Sequence, residues 1–408
     1  MPAEAPYLMN PIEIAIGYVF GQTAASRRPV GPPAHPRLAL EQIIGRALRQ
    51  PPCGVAFSGG RDSSAVLALA THLARRDGLP DPLPVTMRFP TASTTDEDDW
   101  QEAVVAHLRL RDWHRILIHD ELDLIGPYAE QHLLQYGVVW PPPIASLIPM
   151  LEVCRGGCLL DGEGGDQVLG VAHHRIAPLT ALVRSPRPIR WRRFAAVMQT
   201  CAPGAVRARE VRHSLAAAPR PWLRPVALEE LVRQLEQVER DRQLSFAASV
   251  RAIAQRRGEV LGTSNRQFLA LAHGVELVSP FLDPDFLEAA AAHGGLLGRG
   301  TRTAVLRELV SDLLPPDVLS RSTKATFNSC YITARSREFA REWTGEGVDP
   351  DLIDCEELRL SWLSDWPAPA TAALLQSCWL SVTQPPADGH SQDGQACNDL
   401  ARPDRRMT

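Results

Sequence analysis

The segment Ser58-Gly59-Gly60-Arg61-Asp62-Ser63-Ser64 follows the apolar run Val55–Phe57 and precedes a helix-forming stretch that runs to about Arg76. Backbone N–H groups and the helix dipole at a strand–loop–helix junction attract anions. Glycine lets the backbone approach a ligand and adopt positive φ. Ser58, Ser63 and Ser64 add hydroxyl donors. An aspartate inside an anion loop repels phosphate unless a cation bridges the two, so Asp62 points to Mg²⁺. No G-K-[ST] follows and the spacing is not G-x-G-x-x-G, which sets aside the Walker and dinucleotide loops.

A second glycine-rich loop, Asp161-Gly162-Glu163-Gly164-Gly165-Asp166-Gln167, follows another short apolar piece. Its glycines leave room for a ligand, and Glu163 and Asp166 offer carboxylates. If this loop faces the first across the end of a sheet, Asp62 and Asp166 can share one Mg²⁺. Taken alone, such a loop is more often a surface turn than a site. Lys324 is the only lysine among 43 basic residues. A codon bias toward arginine explains the other 42 but not the exception. Lysine is a compact point charge able to meet charge developing on phosphate, and arginine is not its equivalent there. The plainer alternative is a chance exposed lysine.

These residues need a frame. The spacing of Leu38, Ile43, Ile44, Ala47 and Leu48 predicts an amphipathic helix. Strands are expected at Val55–Phe57, Leu83–Phe89, His114–Ile118 and in the piece before Asp161. Helices are expected from Ser63 to about Arg76, from the acidic run at 94–108 and around 121–136. Acids in a first turn suit the helix dipole. Strands alternating with helices imply an α/β fold with a mainly parallel sheet and helices on both faces. Ligands then bind where the strand order switches. Ile12–Phe20 reads as one short strand or helix, and 27–36 as a linker or extended arm. After about residue 175 helical patterns dominate, and 384–408 reads as a disordered tail. Residues 184–224 hold ten arginines against one acid, Glu210. They suit a solvated surface, or a groove for an acidic peptide or phosphates.

With 408 residues, 45% hydrophobic and 22% charged, the chain is globular and has no run long enough to span a membrane. No secretory signal is evident at the start, so a cytoplasmic protein is expected. The net charge of −4 argues against bulk nucleic-acid binding. The eight cysteines form no C-x-x-C pair, which argues against zinc; they read as mostly reduced and buried. Cys154 and Cys158 suit one helix face.

SGG-x-DSS after an apolar strand resembles the pyrophosphate loop of ATP pyrophosphatases, which cleave ATP between its α and β phosphates. SGGRDSS paired with DGEGGDQ resembles the synthetase domain of asparagine synthetase. HGVELVSPFLD (273–283) and LRELVSDLLPPDVLSRSTKATF (306–327) match further segments of that domain in order, so the resemblance covers about residues 40–345. It implies a PP-loop α/β fold, 38–383 as one synthetase domain, and a mainly helical C-terminal half. It implies ATP and Mg²⁺ as cofactors and Lys324 as the catalytic lysine. Ser58, Gly59, Gly60, Asp62, Ser63 and Ser64 would hold pyrophosphate, with Asp161, Gly162 and Arg321 beside them. Met87, after the second strand, would border adenine. Asp62 and Asp166 would hold the metal, and Glu163 would sit near the acyl carbon.

Departures point to a branch. Residue 2 is Pro2 and residues 1–37 read as an arm, so no glutaminase half is expected. Val278, Gln167 and Thr303 replace the family's usual Arg, Glu and Lys. Arg321-Ser-Thr-Lys324 has one residue more than R-x-K. R-x-T-K followed by EGVDPDLID (346–354) resembles the lasso-peptide macrolactam synthetases. These adenylate an Asp or Glu side chain of a precursor peptide, whose own N-terminal amine attacks. A leader-binding protein and a leader peptidase are the partners this resemblance implies. Two alternatives stay open: amidation of a small acid by free ammonia or an amine, and a non-catalytic nucleotide- or peptide-binding subunit.

Overall fold

The computed structural model describes residues 5–24, 35–90, 97–184, 191–217, 219–321 and 330–384. Five strands form one sheet: β1 (Cys53–Ala56), β2 (Leu83–Arg88), β3 (His114–Leu117), β4 (Cys158–Leu160) and β5 (Glu276–Val278). Their order is β3-β2-β1-β4-β5 and every pairing is parallel. Val55 lies opposite Pro84 on one side and Leu160 on the other. The chain runs outward from β1 through β2 to β3, then returns to β4 on the far side of β1. The order therefore switches between β1 and β4, where both glycine loops emerge.

Both faces of the sheet are covered. Cys158 and Leu160 join the apolar core under the helices Pro36–Ala47 and Arg61–Arg76. Leu159, between them, joins the opposite core with Val85 and Leu277. Alternation of side chains along β4 is what allows one strand to serve two cores. Leu67, Ala70, Leu73 and Ala74 of the helix after β1 are fully buried, as expected of a helix apolar on most of its surface.

Several expectations shift by a few residues. The helix after β1 starts at Arg61 rather than Ser63, and the acidic helix at Asp98. The helix expected around 121–136 is Pro127–Tyr136. Pro11–Ile16 is a helix, opened by a capping box in which Asn10 accepts from the Glu13 N–H and Glu13 accepts from the Asn10 N–H. Residues 5–24 pack on the body: Met9, Ile16 and Val19 are buried and Asn265 bonds both backbone polar groups of Tyr7. Cys154 and Cys158 do not share a helix. Cys154 caps Ile148–Val153, and Cys158 opens β4 opposite Cys53. Among the described residues every cysteine is a free thiol. The tail 385–408 lies outside the described residues. Beyond residue 175 helices dominate, but β5 is a strand that the helical reading did not include. No helix among the described residues is long and apolar enough to cross a membrane.

Candidate active site

The first loop is tied by its own hydroxyls. Ser63 Oγ donates to the Gly60 carbonyl at 3.1 Å and accepts from the Ser58 N–H at 3.3 Å. Ser58 Oγ lies 3.2 Å from Ser63 Oγ and accepts from the Gly60 N–H. Gly59 has φ +80°, a backbone that favours glycine. Gly60 caps the following helix with no side-chain acceptor, so the first-turn N–H groups remain for a ligand. Ser64 is buried and its Oγ has no hydrogen-bond partner.

The second loop packs directly on the first. A Cβ at Gly162 would come within 2.9 Å of the Ser63 N, and one at Gly165 within 2.5 Å of Asp62 Cγ. Sequence spacing therefore did bring the two loops together. Asp161 is committed to the loop itself: one carboxylate oxygen accepts from the Glu163 N–H at 3.1 Å, the other from Ser279 Oγ at 2.9 Å. Burial pushes its carboxyl up to about 6. Glu163 is half exposed and pairs with Arg266 at 3.1 Å.

Asp62 is buried, and burial pushes its carboxyl above the ordinary range, against the pull of Arg302. The charge of Asp166 adds to that upward push, so the two carboxylates feel each other. Two hard carboxylate donors, with a hydrogen rather than a methyl at Gly165, fit a Mg²⁺ ion. Such an ion would neutralise phosphate charge. Asp62 also bonds Arg302: Arg302 Nε donates to one carboxylate oxygen at 3.0 Å and an amino nitrogen donates to the other.

Arg321 approaches from the other side of the loop. Its amino nitrogens donate to both oxygens of Glu97 at 2.6 Å, and one also donates to the Gly59 carbonyl at 2.7 Å. Its grip on the first loop therefore passes through backbone. Gln101, one helical turn past Glu97, donates to the Ser58 carbonyl at 3.1 Å. Met87 lies inside β2, next to its last residue, rather than after the strand; it is half-buried against the cluster of Phe89, Ile118, Leu122 and Cys330. Lys324 lies outside the described residues.

Glu97, Gln101, Arg302 and Arg266 were not singled out in the sequence. Glu97 and Gln101 carried a usable signal, because i,i+4 places them on one helix face. Arg302 and Arg266 carried none, since their partners lie far away in the chain.

A groove of about 510 Å³ is walled by Tyr18, Phe20, Leu235 and Val238 and includes Arg220 and Arg256. A cleft of about 560 Å³ adjoins it and shares Leu235, Val238 and Arg242. The Arg-rich segment forms part of this surface: Gln199, Arg207 and Val211 line the cleft. Two groove residues reach the second loop. His174 Nε2 donates to the Gln167 carbonyl at 2.8 Å, and Arg256 donates to the Gln167 side chain at 3.5 Å. Gln167 follows Asp166 directly.

No curated protein matches the chain. The family described as asparagine synthase matches residues 37–374, most of the chain. The matched span takes in the whole sheet and both loops. The chain belongs to the asparagine synthase family, whose members are ATP-dependent, AMP-forming carbon–nitrogen ligases.

Proposed function

We propose that this ligase cyclises a peptide, activating an Asp or Glu side chain as an acyl-adenylate for attack by the peptide's own N-terminal amine. In the first step a carboxylate oxygen displaces pyrophosphate from the α phosphate of ATP. In the second the amine displaces AMP and loses a proton, leaving the amide. The Ser58–Ser63 loop receives the pyrophosphate through its N–H groups and hydroxyls. Asp62 and Asp166 hold Mg²⁺, whose charge offsets that of the phosphates. Glu163, half exposed at the mouth, orients the amine or takes its proton. Met87 borders adenine. Lys324 stabilises charge on the α phosphate and the leaving group, as its place in the family motif implies.

The observation that carries the peptide reading is the groove. Its volume, about 510 Å³ with a further 560 Å³ adjoining, is that of a site for something larger than one amino acid. It is open and amphipathic. Its wall includes part of the Arg-rich segment, and two of its residues, His174 and Arg256, bond Gln167, the residue after Asp166. A small acid amidated by ammonia needs a closed pocket instead. A leader-binding protein and a peptidase would complete such a system.

The test compares AMP and pyrophosphate release with two substrates. One is a peptide bearing a free N-terminal Gly and a downstream Asp or Glu, drawn from a short reading frame beside the gene. The other is free aspartate plus ammonia. Peptide-dependent AMP, with loss of one water from the peptide by mass spectrometry, supports the cyclase. AMP only with the small acid replaces it with amidation. AMP release by wild type that matches Lys324→Ala with both substrates replaces it with a binding subunit.

A further inference from the structure

We infer that Arg302 is a counter-ion that pairs with Asp62 and passes to the polyphosphate when metal and nucleotide arrive together. This deepens the proposed function, because it rests on the two glycine loops being the metal–polyphosphate site.

Both oxygens of the Asp62 carboxylate are taken by the Arg302 fork. The pair spans 240 residues of sequence. The two side chains are 22% and 12% exposed, so the pair is largely removed from water yet open on one side. Arg302 begins the helix Arg302–Val310, which Thr301 caps through a bond from the Ala304 N–H. Its backbone is pressed against the exit of the second loop: a Cβ at Gly170 would collide with the Arg302 N and Cα. The Val171 N–H also bonds the Gly300 carbonyl at 3.0 Å. The main chain of Arg302 is therefore fixed, and its side chain is the part able to move.

A second guanidinium stands beside it. Arg61, from within the phosphate loop, donates to Thr303 Oγ1 at 3.1 Å. Arg61 and Arg302 thus bring two cations to the position where Thr303 stands in place of the family's lysine.

The chemistry of the carboxylate forces a choice. A metal ion and the Arg302 guanidinium are both cations that draw on the single charge of Asp62 and repel each other, so the two compete. Free metal meets that competition unaided. A metal-bound polyphosphate does not, because it offers the displaced planar fork two anionic oxygens to bind. Without Arg302, buried Asp62 would face the charge of Asp166 with less compensation. Arg302 therefore offsets the charge of Asp62, disfavours metal alone and favours metal with polyphosphate. Metal and polyphosphate become coupled ligands.

The test needs no turnover. Mn²⁺ binding is measured by electron paramagnetic resonance and pyrophosphate binding, with Mg²⁺ present, by calorimetry. Wild type, Arg302→Gln and Arg302→Lys are compared. Arg302→Gln is expected to bind free Mn²⁺ about tenfold more tightly and Mg-pyrophosphate about tenfold more weakly. Arg302→Lys, which keeps charge without the fork, is expected to fall between. The two shifts have opposite signs, which general loosening of the fold would not produce. Unchanged Mn²⁺ affinity in both variants, or both affinities weakening together, overturns the inference. Wild-type protein that binds no pyrophosphate overturns the reading of the loops themselves, and the inference with it.

Discussion

Arg321 and Glu97 form a two-pronged ion pair, both prongs 2.6 Å, with side chains only 3% and 5% exposed. The same guanidinium holds the Gly59 carbonyl and lies 5.0 Å from the centre of the Trp100 ring. The pair thus bolts the phosphate loop to the helix that follows β2. Removing one partner of a buried pair leaves the other uncompensated, at a cost of about 3–5 kcal/mol. Glu97→Ala is expected to lower stability by that amount and to weaken pyrophosphate binding, because the guanidinium that holds Gly59 loses the carboxylate that orients it. Urea unfolding and calorimetry check it. Stability close to wild type would show that the pair contributes little.

Gly165→Ala separates placement of Asp62 from stability. Alanine is compatible with the backbone here, since Gly165 does not have positive φ. Its methyl would nevertheless fall within 2.5 Å of Asp62 Cγ and 2.6 Å of one carboxylate oxygen. Asp62 must move. A displacement of about 1 Å in a reacting constellation costs roughly 100-fold. AMP formation is expected to fall by about that factor while the melting temperature moves by only a few degrees. Near-normal activity would mean that the position of Asp62 does not matter.

The parts of this site that could be read in advance are those that punctuate the chain locally. An apolar run, glycines and a helix-forming stretch mark the first loop, and the same grammar marks the second. β5 is three residues long and carries no alternation of its own; it exists because β4 offers Leu159 and Leu160 an edge to complete. The acidic run before Asp98 read as charges favouring a helix start, and Glu97 was hidden among them. Its role appears only once Arg321, 224 residues away, reaches it. Ion pairs between distant segments leave no periodicity, so the electrostatics of the site had to come from the fold.

Lys324 lies outside the described residues, and the expectation for it comes from its place in the motif and from its being the sole lysine. Lys324→Ala is expected to slow adenylate formation by roughly 100- to 1,000-fold, the range for losing one charge-stabilising donor. Affinity for ATP should change much less, because the missing contact is stronger in the transition state. Lys324→Arg is expected to rescue little, since a planar fork does not replace a point charge. Single-turnover AMP formation, with ATP binding measured separately, distinguishes the cases. An arginine variant as fast as wild type would reduce Lys324 to a general positive charge.

His132, on the helix Pro127–Tyr136, is 5% exposed and neither ring nitrogen has a hydrogen-bond partner. Burial, with a smaller push from His273, lowers its pKa to about 4. His174 is lowered to about 4 as well, mainly by burial. Unfolded, each titrates near 6.5. Between these values the unfolded chain binds protons that the folded chain refuses, so stability is full above about pH 6.5 and falls as pH drops toward 4. From pH 7.5 to 5 one such histidine contributes a loss of about 2 kcal/mol. His132→Gln cannot titrate, so its acid-side loss should be smaller than wild type by about that amount. The comparison needs urea unfolding of both proteins at the two pH values, because shared carboxylate effects then cancel. Parallel losses in the two proteins would show that His132 gains its proton as readily folded as unfolded.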